Sequence, residues 1–295
     1  MLTIRQIVSD IREQLSDYYP ETETDSLIRI LFLHYCNLSQ MEIHLRYDEE
    51  ISSEKATRIQ AAKDELKTYR PIQYIIGETE FYGLKFKVTP DVLIPRPETE
   101  ELVDWIIHEV QTKSSSGIPL SPKILDIGAG SGCIAVSLAA MIPSAEVWAM
   151  DISQQALLVT KENAGINNVR LSAVHSDILS DEADQLFSDA FFDIIVSNPP
   201  YISQSEKVLM QANVLEYEPH NALFAPGTDP SLFYRRIAKF GTKKLRNSGL
   251  IFFEINENFP VETATILEQY GYSNIISRKD INDKWRMISA ISHSQ

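Results

Sequence analysis

The sequence predicts an α/β fold in which a mostly parallel sheet with helices on both faces follows a small helical bundle. Three observations carry this expectation. Apolar residues recur at helical spacing through residues 1–76, with no strand-like run among them. From Lys123 onward, short apolar runs alternate with helical patterns, the rhythm of βαβ units. Two of those runs stop abruptly, one in the glycines of residues 128–132 and one in Asn198-Pro199-Pro200-Tyr201. Open α/β sheets bind ligands at the carboxyl ends of their strands, so these stops are also where chemistry is expected.

Composition narrows the class. A chain of 295 residues with 44% hydrophobic and 23% charged residues suits one large or two moderate globular domains. The net charge of -14 and a pI of about 4.9 argue against a partner gripped mainly through its phosphates, which needs clustered Lys and Arg. Cys36 and Cys133 lie far apart, without a Cys-x-x-Cys, and the six histidines have no metal-ligand spacing, so neither a disulfide framework nor a metal site is expected. No basic-then-apolar leader opens at Met1, and no apolar run approaches the roughly 18 residues of a membrane span. The expected location is cytoplasmic.

Taken in order, Ile4, Ile7, Val8, Ile11 and Leu15 set the inner face of an amphipathic helix that ends before Tyr18-Tyr19-Pro20. Thr24-Asp25 is expected to open an almost wholly apolar helix through Leu27, Ile28, Ile30, Leu31, Phe32 and Leu33, one that its neighbours bury. Ser39 and Glu42 have the spacing of a capping box for a third helix, and Ile59, Ala62, Leu66 and Tyr69 line a fourth. Residues 1–76 thus read as a helical domain with no catalytic constellation, either a substrate-docking module or a stabilising cap. After Gly77 the period becomes two, with Phe81, Phe86 and Val88 flanked by Tyr82, Lys85 and Lys87, so residues 77–97 read as a β-hairpin connector. Pro95 and Pro97 hold its end extended, and Glu98 or Thr99 is placed to cap a helix through Leu102, Val103, Ile106 and Ile107.

Residues 113–122, rich in Ser, Gly and Pro, read as a surface loop. The remaining domain, 98–295, carries expected strands at 124–127, 147–150, 169–174, 193–197, 250–255, near Ile275 and at 287–291. Expected helices occupy 133–141, 156–164 and 261–270.

The candidate site lies at four successive strand ends. Gly128-Ala129-Gly130-Ser131-Gly132 opens a helix, where glycines let the backbone approach a ligand and free amides face it. Its spacing is Gly-x-Gly-x-Gly, not the dinucleotide fingerprint. Asp151, about 20 residues on, ends the next strand, where a carboxylate accepts hydrogen bonds from ribose hydroxyls. Asp177 follows the third strand, as an adenine reader beside Ile178 or equally as a helix cap. At the fourth, Pro199 and Pro200 have no amide hydrogen and bias the residues before them away from helix, leaving the Asn198 and Pro199 carbonyls free of any ladder. The Asn198 side-chain oxygen and the Pro199 carbonyl then form an acceptor edge for a planar amino group. Pro200 supports it, and Tyr201 offers a ring face to pack on it or, alternatively, plugs the core.

Together these motifs resemble class I S-adenosylmethionine methyltransferases with an Asn-Pro-Pro-Tyr motif. Phe81-Tyr82-Gly83-Leu84, the residues from Ile94 to Glu100, those from Val196 to Ile202, and Glu218-Pro219-His220-Asn221-Ala222-Leu223-Phe224 are similar to the HemK/PrmC family. The resemblance spans residue 70 to the C-terminus, and the helical N-terminal domain is of the same kind. It implies a Rossmann-like, mostly parallel seven-stranded sheet and transfer of a methyl group from S-adenosylmethionine, without a metal, to the glutamine amide of the Gly-Gly-Gln motif in peptide chain release factors. It assigns Asn198, Pro199, Pro200 and Tyr201 to catalysis. Gly128, Ala129, Gly130, Ser131, Gly132, Asp151, Asp177, Ile178 and Asn198 go to the cofactor.

Three positions depart from the family pattern: Ile178 where some members carry a large aromatic, Pro230 within residues 227–232, and Asn256 in place of a glycine after Glu254-Ile255. Competing readings are a glutamine methyltransferase of a ribosomal protein, a methyltransferase of exocyclic base amines acting on flipped bases, and a silent binding module. Acidity counts against the second, and intact motifs against the third. Neither direct nucleic-acid binding nor a membrane partner is expected.

Overall fold

The computed structural model describes residues 2–112, 119–202, 207, 212–227 and 229–293. The chain forms two compact units, Met1–Glu78 with Gln211–Tyr217, and Thr79–Met210 with Glu218–Gln295.

In the helical unit, Thr3 caps α1 (Ile4–Leu15) through a capping box with Gln6, and the five apolar residues of its inner face are all buried. α2 (Glu21–Cys36) starts directly after Pro20, earlier than Thr24-Asp25 marks. The Pro20 carbonyl accepts the Glu23 and Thr24 amides, which makes a side-chain cap unnecessary, and Thr24 turns inward at 3% exposure. Leu33, expected to be covered, is exposed. α3 (Gln40–Leu45) carries the Ser39–Glu42 box in both directions. α4 (Ser53–Leu66) ends before Tyr69, whose φ of 61° turns the chain and leaves the ring exposed instead of lining the helix. A short α5 (Ile72–Ile76), too brief for its period to register, closes at Gly77. The unit also includes residues from far downstream, where the Tyr217 hydroxyl donates to the Thr68 carbonyl at 2.9 Å.

The second unit opens on a hairpin, β1 (Glu78–Phe81) and β2 (Leu84–Lys87), turned by Tyr82 and Gly83 at φ 51° and 69°. α6 (Pro97–Thr112) follows with Pro97 in its first turn. The main sheet comprises β3 (Lys123–Ile127), β4 (Glu146–Asp151), β5 (Ser172–His175), β6 (Phe192–Ser197), β7 (Leu245–Glu254), β8 (Ser273–Lys279) and β9 (Trp285–Ile291). Their order is β5-β4-β3-β6-β7-β9-β8, parallel except that β9 runs antiparallel to both neighbours. The order reverses at β3 and β6, and that is where crossover loops diverge and leave a crevice. α7 (Cys133–Met141) and α8 (Gln154–Ile166) follow β3 and β4. α9 (Ala212–Tyr217), α10 (His220–Leu223), α11 (Leu232–Lys244) and α12 (Pro260–Gln269) come after β6.

All six residues of β6 are buried, with Ile194 and Val196 in the core on one face and Ile195 in that on the other, as a central parallel strand requires. β5 is shorter than the expected 169–174, because Val169 and Leu171 pack against the core from the preceding loop. α11 was not among the expected helices. It lacks a side-chain cap at Ser231, yet buries Tyr234, Ile237 and Phe240 while Arg235, Lys239 and Lys243 lie outside that buried set. The expected loop at 113–122 falls mostly outside the described residues.

Side chains of α8 and its C-cap hold the hairpin, with Asn167 donating to the Lys85 carbonyl at 2.7 Å and Asn163 making the most bonds. Asn163 of α8, fully buried, accepts the Lys87 amide at 2.6 Å and donates to the carbonyls of Lys87 at 3.0 Å and Ser131 at 2.9 Å. Truncation would leave three backbone groups, two on half-buried Lys87 and one on buried Ser131, without this partner, each costing on the order of 1–3 kcal/mol where water cannot replace it. Asn163→Ala is therefore expected to lower unfolding free energy by roughly 3 kcal/mol or more, read from urea denaturation. A loss below about 1 kcal/mol would show that the clamp is dispensable.

Candidate active site

The glycine loop is shaped by the β4 end beside it. Gly128 and Ala129 donate their amides to the Met150 carbonyl at 2.8 and 3.0 Å, and Gly130 donates to Asp151 Oδ2 at 2.8 Å. Gly128, Gly130 and Gly132 all have positive φ. At Gly132 a Cβ would also lie 2.8 Å from Thr160 Cγ2, so close packing of α8 reinforces the choice. Thr160 Oγ1 in turn donates to the Gly130 carbonyl at 2.9 Å. The loop is thus held on both sides before any ligand arrives.

Three acids lie around it. Asp151 Oδ1 accepts the Ser153 amide at 2.8 Å, so both carboxylate oxygens are held by backbone amides while the residue still lines the cavity. Burial raises its pKa, against the pull of those amides. Asp126, one strand over, is 1% exposed; its Oδ2 accepts the Ala135 amide at 3.1 Å, while Oδ1 has no partner among the described residues. Burial pushes its carboxyl up to about 7, and Asp151 adds to the rise. Sequence reasoning gave Asp126 no role; its position immediately before the loop was the available signal. Asp177 closes the turn after β5 and does not cap the helical turn that begins at Asp181, with Oδ1 accepting the Leu179 amide at 2.8 Å and its carbonyl accepting Ser180 Oγ at 2.8 Å. It still lines the cavity, as does Ile178, which is buried against the α11 side of the core.

At the end of β6, Ser197 Oγ donates to the Ile127 carbonyl at 2.6 Å, locking the last paired residue to β3. Asn198 Nδ2 donates to Thr99 Oγ1 at 3.5 Å, and Thr99 Oγ1 donates to Glu254 Oε2 at 2.6 Å. Thr99 therefore does not cap α6; it is buried beneath Asn198. Tyr201 is placed differently from the ring-face expectation. It is half-buried against the core, its hydroxyl donates to Glu254 Oε1 at 3.3 Å, and it is not among the residues lining the cavity. Desolvation raises the pKa of Glu254, which Thr99, Arg286 and Tyr201 oppose.

Two distant motifs meet at the rim. Arg96 donates to Glu218 Oε1 at 2.6 Å and the Ile94 amide to Oε2 at 3.3 Å, with the Glu218 carboxylate almost wholly buried. At the departures, Asn256 takes no positive φ and its Oδ1 accepts the Asn258 amide at 2.9 Å, so it builds the turn itself. Asp229 accepts the Ser231 amide at 3.0 Å and pairs with Arg235, whereas Thr228 lies outside the described residues.

These groups surround one cavity of about 630 Å³, within the roughly 300–1,000 Å³ range of small-molecule sites. Gly128, Ala129, Gly130, Ser131, Asp151, Asp177, Ile178, Asn198, Pro199 and Pro200 line it; Gly132 and Tyr201 stand behind.

Comparison with known proteins places this geometry in context. Residues 109–228 match the methyltransferase small domain, and residues 6–77 the PrmC N-terminal domain. The chain is 42% identical to the release factor glutamine methyltransferase of Flavobacterium psychrophilum over 97% of its own length and 98% of that protein. It is 39% identical to the one of Bacteroides thetaiotaomicron, covering 97% and 99%. Among solved structures, the N-terminal domain of human METTL16 in complex with SAH shares the fold at a TM-score of 0.53 and 17% identity, covering 96% of this chain and 98% of that one. A T. thermophilus 16S rRNA N2 methyltransferase in complex with AdoMet and guanosine gives 0.52 and 22%, covering 73% and 50%.

The raised carboxyl of Asp126 has a consequence for stability. An unfolded Asp titrates near 3.9, so between about pH 4 and 7 the folded chain holds a proton that the unfolded chain has released. Its contribution therefore falls as pH rises through that window. Asp126→Asn, which does not titrate, should gain on the parent by up to roughly 4 kcal/mol from low pH to pH 8. Urea unfolding of both without ligand, at pH 5 and pH 8, checks this; a stability difference equal at the two pH values would contradict it.

Proposed function

Because the chain belongs to the release factor glutamine methyltransferase family, we propose that it methylates the side-chain amide nitrogen of the Gly-Gly-Gln glutamine in peptide chain release factors, with S-adenosylmethionine as donor. The observation that carries this is the meeting of the Asn198-Pro199-Pro200 edge and the glycine crevice in one cavity. The residues fit the cofactor. Asp151, which lines the cavity, is placed to accept ribose hydroxyls, and Ile178 gives an apolar wall beside Asp177 for a purine. S-adenosylmethionine, when bound, supplies a methyl carbon on positively charged sulfur.

An amide nitrogen is a poor nucleophile because its lone pair is delocalised, so the chain's task is orientation. Holding the nitrogen in line is worth up to about 7–11 kcal/mol. The Asn198 side-chain oxygen and the Pro199 carbonyl accept hydrogen bonds from its two hydrogens, which become more acidic as the N–C bond forms and the C–S bond breaks; one of these protons then leaves to water. Pro200 fixes the backbone of that edge, and Tyr201 acts from behind through Glu254. A metal is not part of this reading.

The helical domain, residues 1–76, contributes nothing to the cavity lining and is proposed to hold the release factor. Direct contact with nucleic acid or membrane is not part of this reading, and the cytoplasm is the proposed location. Among the described residues no helix is long and apolar enough to cross a membrane.

Asp151→Ala should weaken S-adenosylmethionine binding by roughly 1.5–3 kcal/mol in calorimetry, the value of hydrogen bonds to a charged acceptor; unchanged affinity would remove Asp151 from the site. Asn198→Ala should leave cofactor affinity nearly intact while methyl transfer to a release factor falls by about 100-fold or more. Asn198→Asp is the sharper test. A carboxylate keeps the acceptor but lacks the amide donor that anchors the side chain, so orientation predicts a poor enzyme, whereas a general base predicts one as good or better. Mass mapping of the methylated residue in the same reactions identifies the target.

A further inference from the structure

We propose that Thr99 and Glu254 are positioning residues that set the polarity of the Asn198 amide, so that its oxygen and not its nitrogen faces the substrate. This rests on the reading of Asn198 as the substrate's acceptor. The two ends of a carboxamide are nearly equal in size, and packing alone does not choose between them. Flipped, Asn198 would present N–H groups to the N–H groups of the target amide.

The hydrogen bonds settle the choice one after another. An ionised carboxylate only accepts, and the 2.6 Å separation of Thr99 Oγ1 from Glu254 Oε2 is that of a hydroxyl bound to a charged acceptor. The single Thr99 hydroxyl proton is thereby committed, leaving the oxygen able only to accept. Its partner, 3.5 Å away, is Asn198 Nδ2. The amide nitrogen thus points inward, and Oδ1 is the atom left for the cavity.

The fold makes this relay local. β7 pairs with β6 so that Phe253 lies opposite Ser197, and Glu254 follows in β7 as Asn198 follows β6. Thr99, in the first turn of α6, fills the gap between them and is itself buried. Glu254 is 2% exposed, and although desolvation raises its pKa, the Thr99 hydroxyl on Oε2, the charge of Arg286 and the Tyr201 hydroxyl on Oε1 favour its acceptor form. Arg286 is in turn anchored to Asp280 at 3.1 Å.

The test separates positioning from packing. Thr99→Val keeps the shape but removes the acceptor; Thr99→Ser keeps the hydroxyl but loses a methyl group. Glu254→Gln can donate to Thr99, freeing the hydroxyl to bond the flipped amide. We expect kcat for methylation of a release factor to fall about tenfold or more in Thr99→Val and Glu254→Gln, with S-adenosylmethionine affinity within about twofold of the parent and most of the rate restored in Thr99→Ser. Parent-like kcat in Thr99→Val, or a Thr99→Ser as slow as Thr99→Val, overturns the proposal. Asn198→Ala run alongside distinguishes the failures. A fast Asn198→Ala defeats the reading of the site itself, while a slow Asn198→Ala with a fast Thr99→Val defeats only the relay.

Discussion

The structure turns on the absence of two amide hydrogens. β6 is the sheet strand next to the switch point, paired on one side to β3 as far as Ser197 and on the other to β7 at the same residue. A central parallel strand would ordinarily continue into a helix that reuses its backbone groups. Pro199 and Pro200 forbid both continued pairing and an immediate helix, so the chain leaves the sheet extended with its carbonyls unspent. Those carbonyls stand beside the glycine loop at the end of β3, where backbone is bare for the opposite reason: the loop has no side chains at Gly128 and Gly130 to cover it. One strand end accepts and the other lets a ligand come close, and they are neighbours because the sheet order makes them so.

Around this junction the chain concentrates buried acid. Asp126, Asp151 and Glu254 are each raised by desolvation, and each is held by a different device: one amide for Asp126, two amides for Asp151, two hydroxyls and a nearby guanidinium for Glu254. Burying like charges is costly unless something compensates them. For Glu254 the compensation is internal, which suits a residue that acts behind the site. For Asp126 it is incomplete, since Oδ1 has no partner among the described residues and a single amide opposes its desolvation.

What was legible in the sequence was local. The glycine loop, Asp151 and Asn198-Pro199-Pro200 could be placed because each ends an apolar run within a few residues, and strand ends in such sheets converge. The capping box of α3 and the exact extent of α7 were legible for the same reason. Partners separated by more than a hundred residues were not. Nothing in the neighbourhood of Thr99 announces Glu254, nor does Arg96 announce Glu218; both pairs exist only once the sheet has closed. For Tyr201 the sequence left two readings open, a ring face at the edge or a core plug, and its contact with Glu254 of β7, over fifty residues away, was not visible there. The apolar stripe of α11, Tyr234, Ile237 and Phe240 opposite Arg235, Lys239 and Lys243, was present in the sequence and went unread, and the side chain of Ser231 forms no cap at its start.

The acceptor edge alone does not choose among substrates. A glutamine amide and an exocyclic base amine both offer a planar nitrogen with two hydrogens, and either would satisfy Asn198 and Pro199. Discrimination therefore lies outside the reacting atoms, in what delivers the amine to them. A nucleic-acid substrate would need a phosphate track, yet the chain carries 27 Lys and Arg against 41 Asp and Glu. Many of the basic residues are already paired with carboxylates, as in Arg96–Glu218, Arg236–Asp184 and Lys87–Glu162. A protein loop carrying its glutamine on a flexible glycine segment needs no such track, only a slot narrow enough for a backbone with small side chains. The Arg96–Glu218 pair, one of those already spent on a carboxylate, joins the loop before α6 to the segment before α10 beside the cavity and leaves Arg96 with its charge matched there.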